Sequence, residues 1–308
     1  MKWVLLLVAC SFSLPAATFY VTVAGLGGEP DYEQRFNDWA RELDKLVKTG
    51  NVNARAVTLR GEAATREAIR STFGKIAQEA SLSDDLVVTL IGHGSFDGED
   101  YKFNLPGPDL TAAELASLLD KVPASRQLVV NATSASGASV GSLQKENRAV
   151  ISATKSGTER NATVFARYWV EALREGTADT DKNGSISALE AFRYAEQKTS
   201  SFYETQKRLA TEHALLEDTG EGEGVRTPAP ENGKGRFAAT FAVVRLGAVQ
   251  EAANDPATRS LLTRKEELEQ QIDKLKYEKA AMPSTEYRTK MTELLLELAR
   301  TQAELDKE

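Results

Sequence analysis

The sequence predicts an α/β fold, a doubly wound and mostly parallel sheet with helices on both faces. Two observations predict it. Leu86-Val87-Val88-Thr89-Leu90-Ile91 and Gln127-Leu128-Val129-Val130 are unbroken apolar runs, the pattern of central strands buried on both faces. Around them, strand-like and helix-like segments alternate at the rhythm of β-α units. Each run ends in a small polar turn, Gly92-His93-Gly94-Ser95 and Asn131-Ala132-Thr133-Ser134-Ala135-Ser136-Gly137. Ligands and chemistry gather at the carboxyl ends of such strands, so these turns are the expected site.

Taken in order, Met1-Lys2 followed by an apolar run and Leu14-Pro15-Ala16-Ala17 reads as a secretory signal peptide over 1–17. The run is too short to span a membrane. Export to a periplasmic or extracellular location is the expectation. The alternative is a lipoprotein anchored through Cys10, because Leu7-Val8-Ala9-Cys10 also fits a lipoprotein signal. Cys10 is the single cysteine. Without that segment the chain has no disulfide, no thiolate nucleophile and no cysteine metal site.

A first strand is expected over 18–25, and Gly25-Leu26-Gly27-Gly28 is a tight strand-to-helix turn that misses the dinucleotide spacing. Phe36, Trp39, Leu43 and Leu46 give a helical period over 32–48. A strand over 54–59, a helix over 63–80, the Leu86 strand, a connecting segment and a helix over 111–119 follow. Then come the Gln127 strand, a strand over 148–154 and a helix over 158–175. A polar helix is expected over 200–216, a solvated acidic glycine loop over 217–224, and an edge strand over 237–246. Leu261, Leu268, Ile272, Leu275 and Met282, then Tyr287, Met291, Leu294, Leu298 and Leu305 after Pro283, keep heptad-like spacing. They predict a C-terminal helical hairpin or coiled coil over 256–308, suited to packing on itself, on the main domain or on a second copy.

Hydrophobic content of 41% and charged content of 27% are ordinary for a globular protein. A net charge of −7 without a basic stripe argues against nucleic acid as partner.

The sharpest motif is Asp179-Thr180-Asp181-Lys182-Asn183-Gly184-Ser185-Ile186-Ser187-Ala188-Leu189-Glu190. It fills each required position of an EF-hand-like calcium loop over 179–190. Asp179, Asp181 and Asn183 offer side-chain oxygens, and Ser185 offers its carbonyl. Ser187 acts directly or through water, Glu190 closes the site with two oxygens, and Gly184 allows the turn. Three carboxylates repel one another without a cation, so Ca2+ is the expected cofactor. One such loop implies a structural clamp rather than a paired sensor.

At His93 and Ser134 the chain resembles the legumain/caspase-type (C13-like) peptidases. The resemblance rests on the apolar strand ending Gly92-His93-Gly94-Ser95 and the later apolar strand ending at Ser134-Ala135-Ser136-Gly137. Ala149-Val150-Ile151-Ser152-Ala153-Thr154 and the Lys155-Ser156-Gly157 turn support it. It covers most of 18–195 and implies a caspase-like sheet over 18–178, completed by a helix, loop and edge strand over 191–250. The family's general base falls on His93, and its nucleophilic cysteine falls on Ser134. Gly94, Thr133, Ser136 and Gly137 are the oxyanion or groove candidates, with Thr133 a second nucleophile position under a one-residue shift. Lys155 and Arg160 are candidates to line the groove. A serine hydroxyl, unlike a thiol, needs a strong positioned base. Asp97 is close in sequence and is a candidate to orient the imidazole. His213 reads as a packed or capping residue.

Three readings compete. One is a peptidase homologue, inactive as a cysteine peptidase, that binds a peptide or protein ligand. Another is an active hydrolase cleaving peptide bonds with a Ser134/His93 dyad. The third is some other α/β binding or structural protein.

Overall fold

Along each central strand, successive side chains enter opposite layers, and this alternation builds two cores on one sheet. In the computed structural model, which describes residues 16–51, 53–247, 249 and 255–307, the strands are β1 (Thr18–Ala24), β2 (Ala54–Leu59), β3 (Asp85–Ile91), β7 (Arg126–Asn131), β8 (Arg148–Ser152) and β10 (Leu215–Glu217). They lie in the order β10-β8-β7-β3-β1-β2. Each neighbouring pair is parallel except β10 with β8. The expected signal segment and Cys10 lie outside the described residues. No helix of the described residues is long and apolar enough to cross a membrane.

One layer is filled by Tyr20, Val87, Ile91, Leu128, Val130 and Ile151 from the strands, against helices α1 (Pro30–Thr49), α5 (Phe165–Glu175) and α6 (Ala188–Thr205). The other takes Phe19, Val21, Val23, Leu86, Val88, Leu90, Val129 and Val150 against α2 (Arg66–Glu79) and α3 (Ala112–Leu119). Period-two burial on both faces is why these strands read as continuous apolar runs. Helix α1 leads outward from β1 to β2, and α2 leads back to β3 across the opposite face. The topological switch point is therefore between β1 and β3, and His93 follows the end of β3 there.

Several elements differ from the sequence expectation. The connecting segment after His93 is a small antiparallel sheet of β4 (Gly94–Phe96), β5 (Tyr101–Phe103) and β6 (Leu110–Thr111). The helix expected from 158 starts at Phe165, because residues before it buttress the Ser134 turn. Ala135 N–H donates to the Glu159 carbonyl at 2.8 Å, and Thr163 Oγ1 donates to the Ala132 carbonyl at 2.7 Å. The polar helix expected over 200–216 ends with α6, and the chain emerges as β10. Lys207 at φ 52° takes the left-handed conformation that stops a helix. The acidic loop is not wholly solvated: Glu217 is buried against Lys234 Nζ at 2.6 Å, and Asp218 accepts from the Gly235 and Ala238 amides.

The strand expected over 237–246 is split into helix α7 (Arg236–Ala239) and strand β11 (Ala242–Arg245), and β11 pairs with β9 (Ser185–Ser187) instead of the main sheet edge. The outer side of β10 is closed by an exchange of backbone hydrogen bonds between Leu216 and Val225, both 2.9 Å. At the C-terminus, α8 (Pro256–Glu278) and α9 (Ser284–Leu305) lie against each other. Arg264 bridges to Glu297 across them.

Candidate functional site

His93 leaves β3 on a glycine at φ 151° and is half-buried. Its ring meets Tyr32 and Phe36 of α1 edge-on, at centroid separations of 4.9 and 5.2 Å. Burial lowers its pKa, and the Gly27 carbonyl that its ring N–H reaches opposes this in part. His93 is thus seated in an aromatic slot over the β1 turn that disfavours its charged form.

Ser134 follows β7 and is buried. Its hydroxyl donates to the Gly94 carbonyl and accepts from the Gly94 amide, each at 3.1 Å. Both roles of the hydroxyl are therefore filled by one residue of the His93 turn. Gly94 has to be glycine for this: a Cβ there would lie 2.5 Å from the Ser134 carbonyl oxygen and 2.8 Å from Thr133 Oγ1. Thr133, fully buried, bonds to the Tyr101 hydroxyl at 2.6 Å and donates to Asn131 Oδ1 at 2.8 Å. Burial pushes Tyr101 up to about 12, so that hydroxyl stays protonated. Ala135 is held at φ 57°, a left-handed conformation that costs a non-glycine residue about 1–2 kcal/mol.

The remaining candidates are each engaged by neighbouring groups, with Ser136 buried and Asp97, Lys155 and Arg160 exposed. Ser136 Oγ accepts from the Thr154 amide at 3.1 Å, and the Gly137 amide donates to Thr154 Oγ1 at 2.9 Å. Asp97 accepts from the Glu99 and Asp100 amides and from Lys102 Nζ at 2.7 Å. The lysine and the two amides hold it well below the usual carboxylate range. It turns the β4–β5 hairpin and does not orient an imidazole. Arg160 Nη2 donates to the Phe96 carbonyl at 3.2 Å, and Lys155 Nζ lies 3.8 Å from Glu159. Glu159 also binds the amide and ring of His213.

Tyr101, Thr154 and Glu159, which shape the two turns, are not legible in the sequence. Tyr101-Lys102-Phe103 alternates like a strand behind an Asp97-Gly98 turn, which was the available signal.

The second candidate is the acidic loop. Asp179, Asp181 and Glu190 each bring a carboxylate oxygen within 4.8 Å of the others. Asp179 accepts from the Asn183 and Gly184 amides, and Gly184 takes φ 82° to permit this. Glu190 Oε1 accepts from Thr180 N–H at 2.8 Å, and Oε2 from Ser187 N–H at 3.0 Å while Ser187 caps α6 in return. Partial desolvation of its carboxyl, then Glu190 and Asp179, push Asp181 up to about 6, although the residue itself reaches the surface. An oxygen-rich, anionic donor set of this kind fits a hard divalent cation. Asn183, Ser185 and Ser187 lie on the same loop, and β9 ties it to β11.

No family model matches the chain, and no curated protein sequence does. Among solved structures, a fold likeness links it to protein GSU0716 from Geobacter sulfurreducens, at 14% identity and a TM-score of 0.43, over 72% of this chain and 97% of that one. Another links it to the Drosophila initiator caspase Dronc, at 11% identity and 0.43, over 68% of this chain and 81% of that one. The class that the strand order itself defines is an α/β protein with a mostly parallel, doubly wound sheet.

Proposed function

We propose that the chain is a caspase-like peptidase homologue, inactive as a peptidase, that binds a peptide or protein ligand and is stabilised by calcium. The observation that carries this reading is the Ser134 hydroxyl. A serine nucleophile needs its proton within hydrogen-bond reach of a base, about 2.6–3.2 Å. Here that proton goes to the Gly94 carbonyl, and His93 is held by Gly27 and two aromatic rings. The amides suited to an oxyanion hole, Gly94 and Gly137, are bonded to Ser134 and Thr154 side chains.

The cation belongs to the acidic loop. Asp179, Asp181, Asn183, Glu190 and the Ser185 carbonyl would hold it, with Ser187 direct or through water. Calcium would supply the neutralising charge for three clustered carboxylates and so tie α5 to α6.

The test incubates the protein with a diverse peptide mixture and calcium, with mass-spectrometric detection, beside Ser134→Ala. No cleavage above the variant is expected. Cleavage that disappears in Ser134→Ala overturns the inactive reading and establishes a serine-dependent hydrolase. Calorimetric titration with calcium chloride is expected to show one saturable site, and its absence removes the calcium part.

A further inference from the structure

Helix α8 lies against the acidic loop and against α7, and its polar ties to the loop and β11 are charged. Lys265 Nζ donates to the Asn183 carbonyl at 3.3 Å. Glu266 accepts from Arg245 Nε at 2.7 Å and from Nη2 at 3.0 Å. A narrow cavity of ≈ 60 Å³ is lined by Glu266, Glu269 and Asp273 of α8 and by Asn183, Ser185 and Arg245. The apolar residues of α8 are placed differently. Leu262, Leu268, Ile272 and Leu275 are buried, yet they belong to neither layer of the domain core. Leu275 shares the groove between the two hairpin helices with Leu294 of α9.

The charges on the two sides of this contact are matched in sign. Glu269 has Asp181, Glu266 and Asp273 as like-charged neighbours and Lys265 as its cation, 3.9 Å away. Asp181 has Glu190, Asp179 and Asp273. Arg245 neutralises Glu266, and Lys276, 2.8 Å from Asp273, neutralises that carboxylate. A loop without its ion thus presents three carboxylates to Glu269, whose cation Lys265 is 3.9 Å away and shared with the Asn183 carbonyl. A divalent cation in the loop cancels two of those charges and fixes the Asn183 carbonyl where Lys265 reaches it.

We propose that calcium in the 179–190 loop is the latch of the C-terminal hairpin: with the ion bound, α8 is docked on the domain through Lys265 and Glu266, and without it the α8–α9 hairpin swings free as a unit. This rests on the calcium reading above. The contacts between α8 and α9 persist in either position. The loop then works as a device that decides whether the hairpin is presented or stowed.

The test uses the full chain with Cys10→Ser and dye-bearing cysteines at two exposed positions, Leu209 in the loop after α6 and Thr289 in α9. Energy transfer is followed while calcium chloride or EGTA is added, with calorimetry of the same samples. Transfer is expected to fall in EGTA, with the undocked fraction rising at least tenfold and returning on calcium. Lys265→Met should undock partly even in calcium, and Glu269→Gln with Asp273→Asn should stay docked in EGTA. Saturable calcium binding with unchanged transfer overturns the latch and leaves the calcium site standing. No calcium binding overturns both.

Discussion

Replacing Asp181 by asparagine keeps the loop's shape and removes one of three converging charges, so its gain in stability should shrink when calcium binds. Carboxylate oxygens within 4.8 Å of one another repel by roughly 3.5 kcal/mol per pair at an effective dielectric of about 20, and by about 1 in bulk water. Asp181 is exposed at the surface, so solvent screening favours the lower figure for each of its two pairs, about 2 kcal/mol of relief in ion-free protein. In a domain of this size that raises Tm by about 4–8 °C. In calcium the same change replaces a charged ligand by a neutral amide oxygen and weakens the ion's hold. An ion at a hundred times its Kd stabilises by about 2.7 kcal/mol, and part of that should disappear.

The pH dependence follows from the direction of the shift. The folded, ion-free protein raises this carboxyl to about 6, above its unfolded value of about 4. It therefore binds the proton more tightly when folded. Its contribution is fully present below about pH 4, falls as pH rises towards 6, and is lost above that. Melting in EGTA and in calcium, at pH 5 and 7.5, checks the reasoning. Asp181→Asn that destabilises equally with and without calcium refutes it, as does a native protein whose Tm ignores calcium.

Gly94→Ala forces a Cβ into the Ser134 turn and should destabilise by about 1–3 kcal/mol in denaturant titration. Gly74→Ala, in α2 with nothing within 4 Å of the added carbon, should stabilise by up to about 1 kcal/mol; equal effects would show that the close approach at Gly94 carries no weight. Burial pushes Glu212, whose carboxylate caps α5 at Val164 and Phe165, up to about 7. Its folded value lies above its unfolded one, so stability from this group falls as pH rises from about 4 to 7. Glu212→Gln should flatten Tm between pH 5 and 8, and an unchanged slope would assign that dependence elsewhere.

Legibility in the sequence followed the length of each element and the distance to its partner. β1, β3, β7 and β8 carry apolar runs on both faces and could be read directly. β4, β5 and β10 are three residues each, too short for a period to show. β10 forms because β8 offers an open edge far away in the chain. The start of α5 was misplaced because residues 158–164 are helix-compatible locally but are drawn into supporting the Ser134 turn. His93 and Ser134 were legible as strand-end residues. Their partners were not, since only the register between two turns decides that Ser134 meets Gly94 and that His93 meets Tyr32 and Phe36. The acidic loop was the opposite case: its convergence is local, and the spacing alone carries it.

The closure of β10 by Val225 has a consequence for growth of the sheet. A strand arriving from another molecule finds that margin already sealed, so the sheet can lengthen only beyond β2. That margin is guarded differently, by charge: Arg55 pairs with Glu79 at 3.3 Å beside the exposed Val57, and such charges discourage chance pairing between edges. The molecule therefore has one end that is finished and one that is merely fenced, and any partner that adds a strand would have to bring its own answer to Arg55.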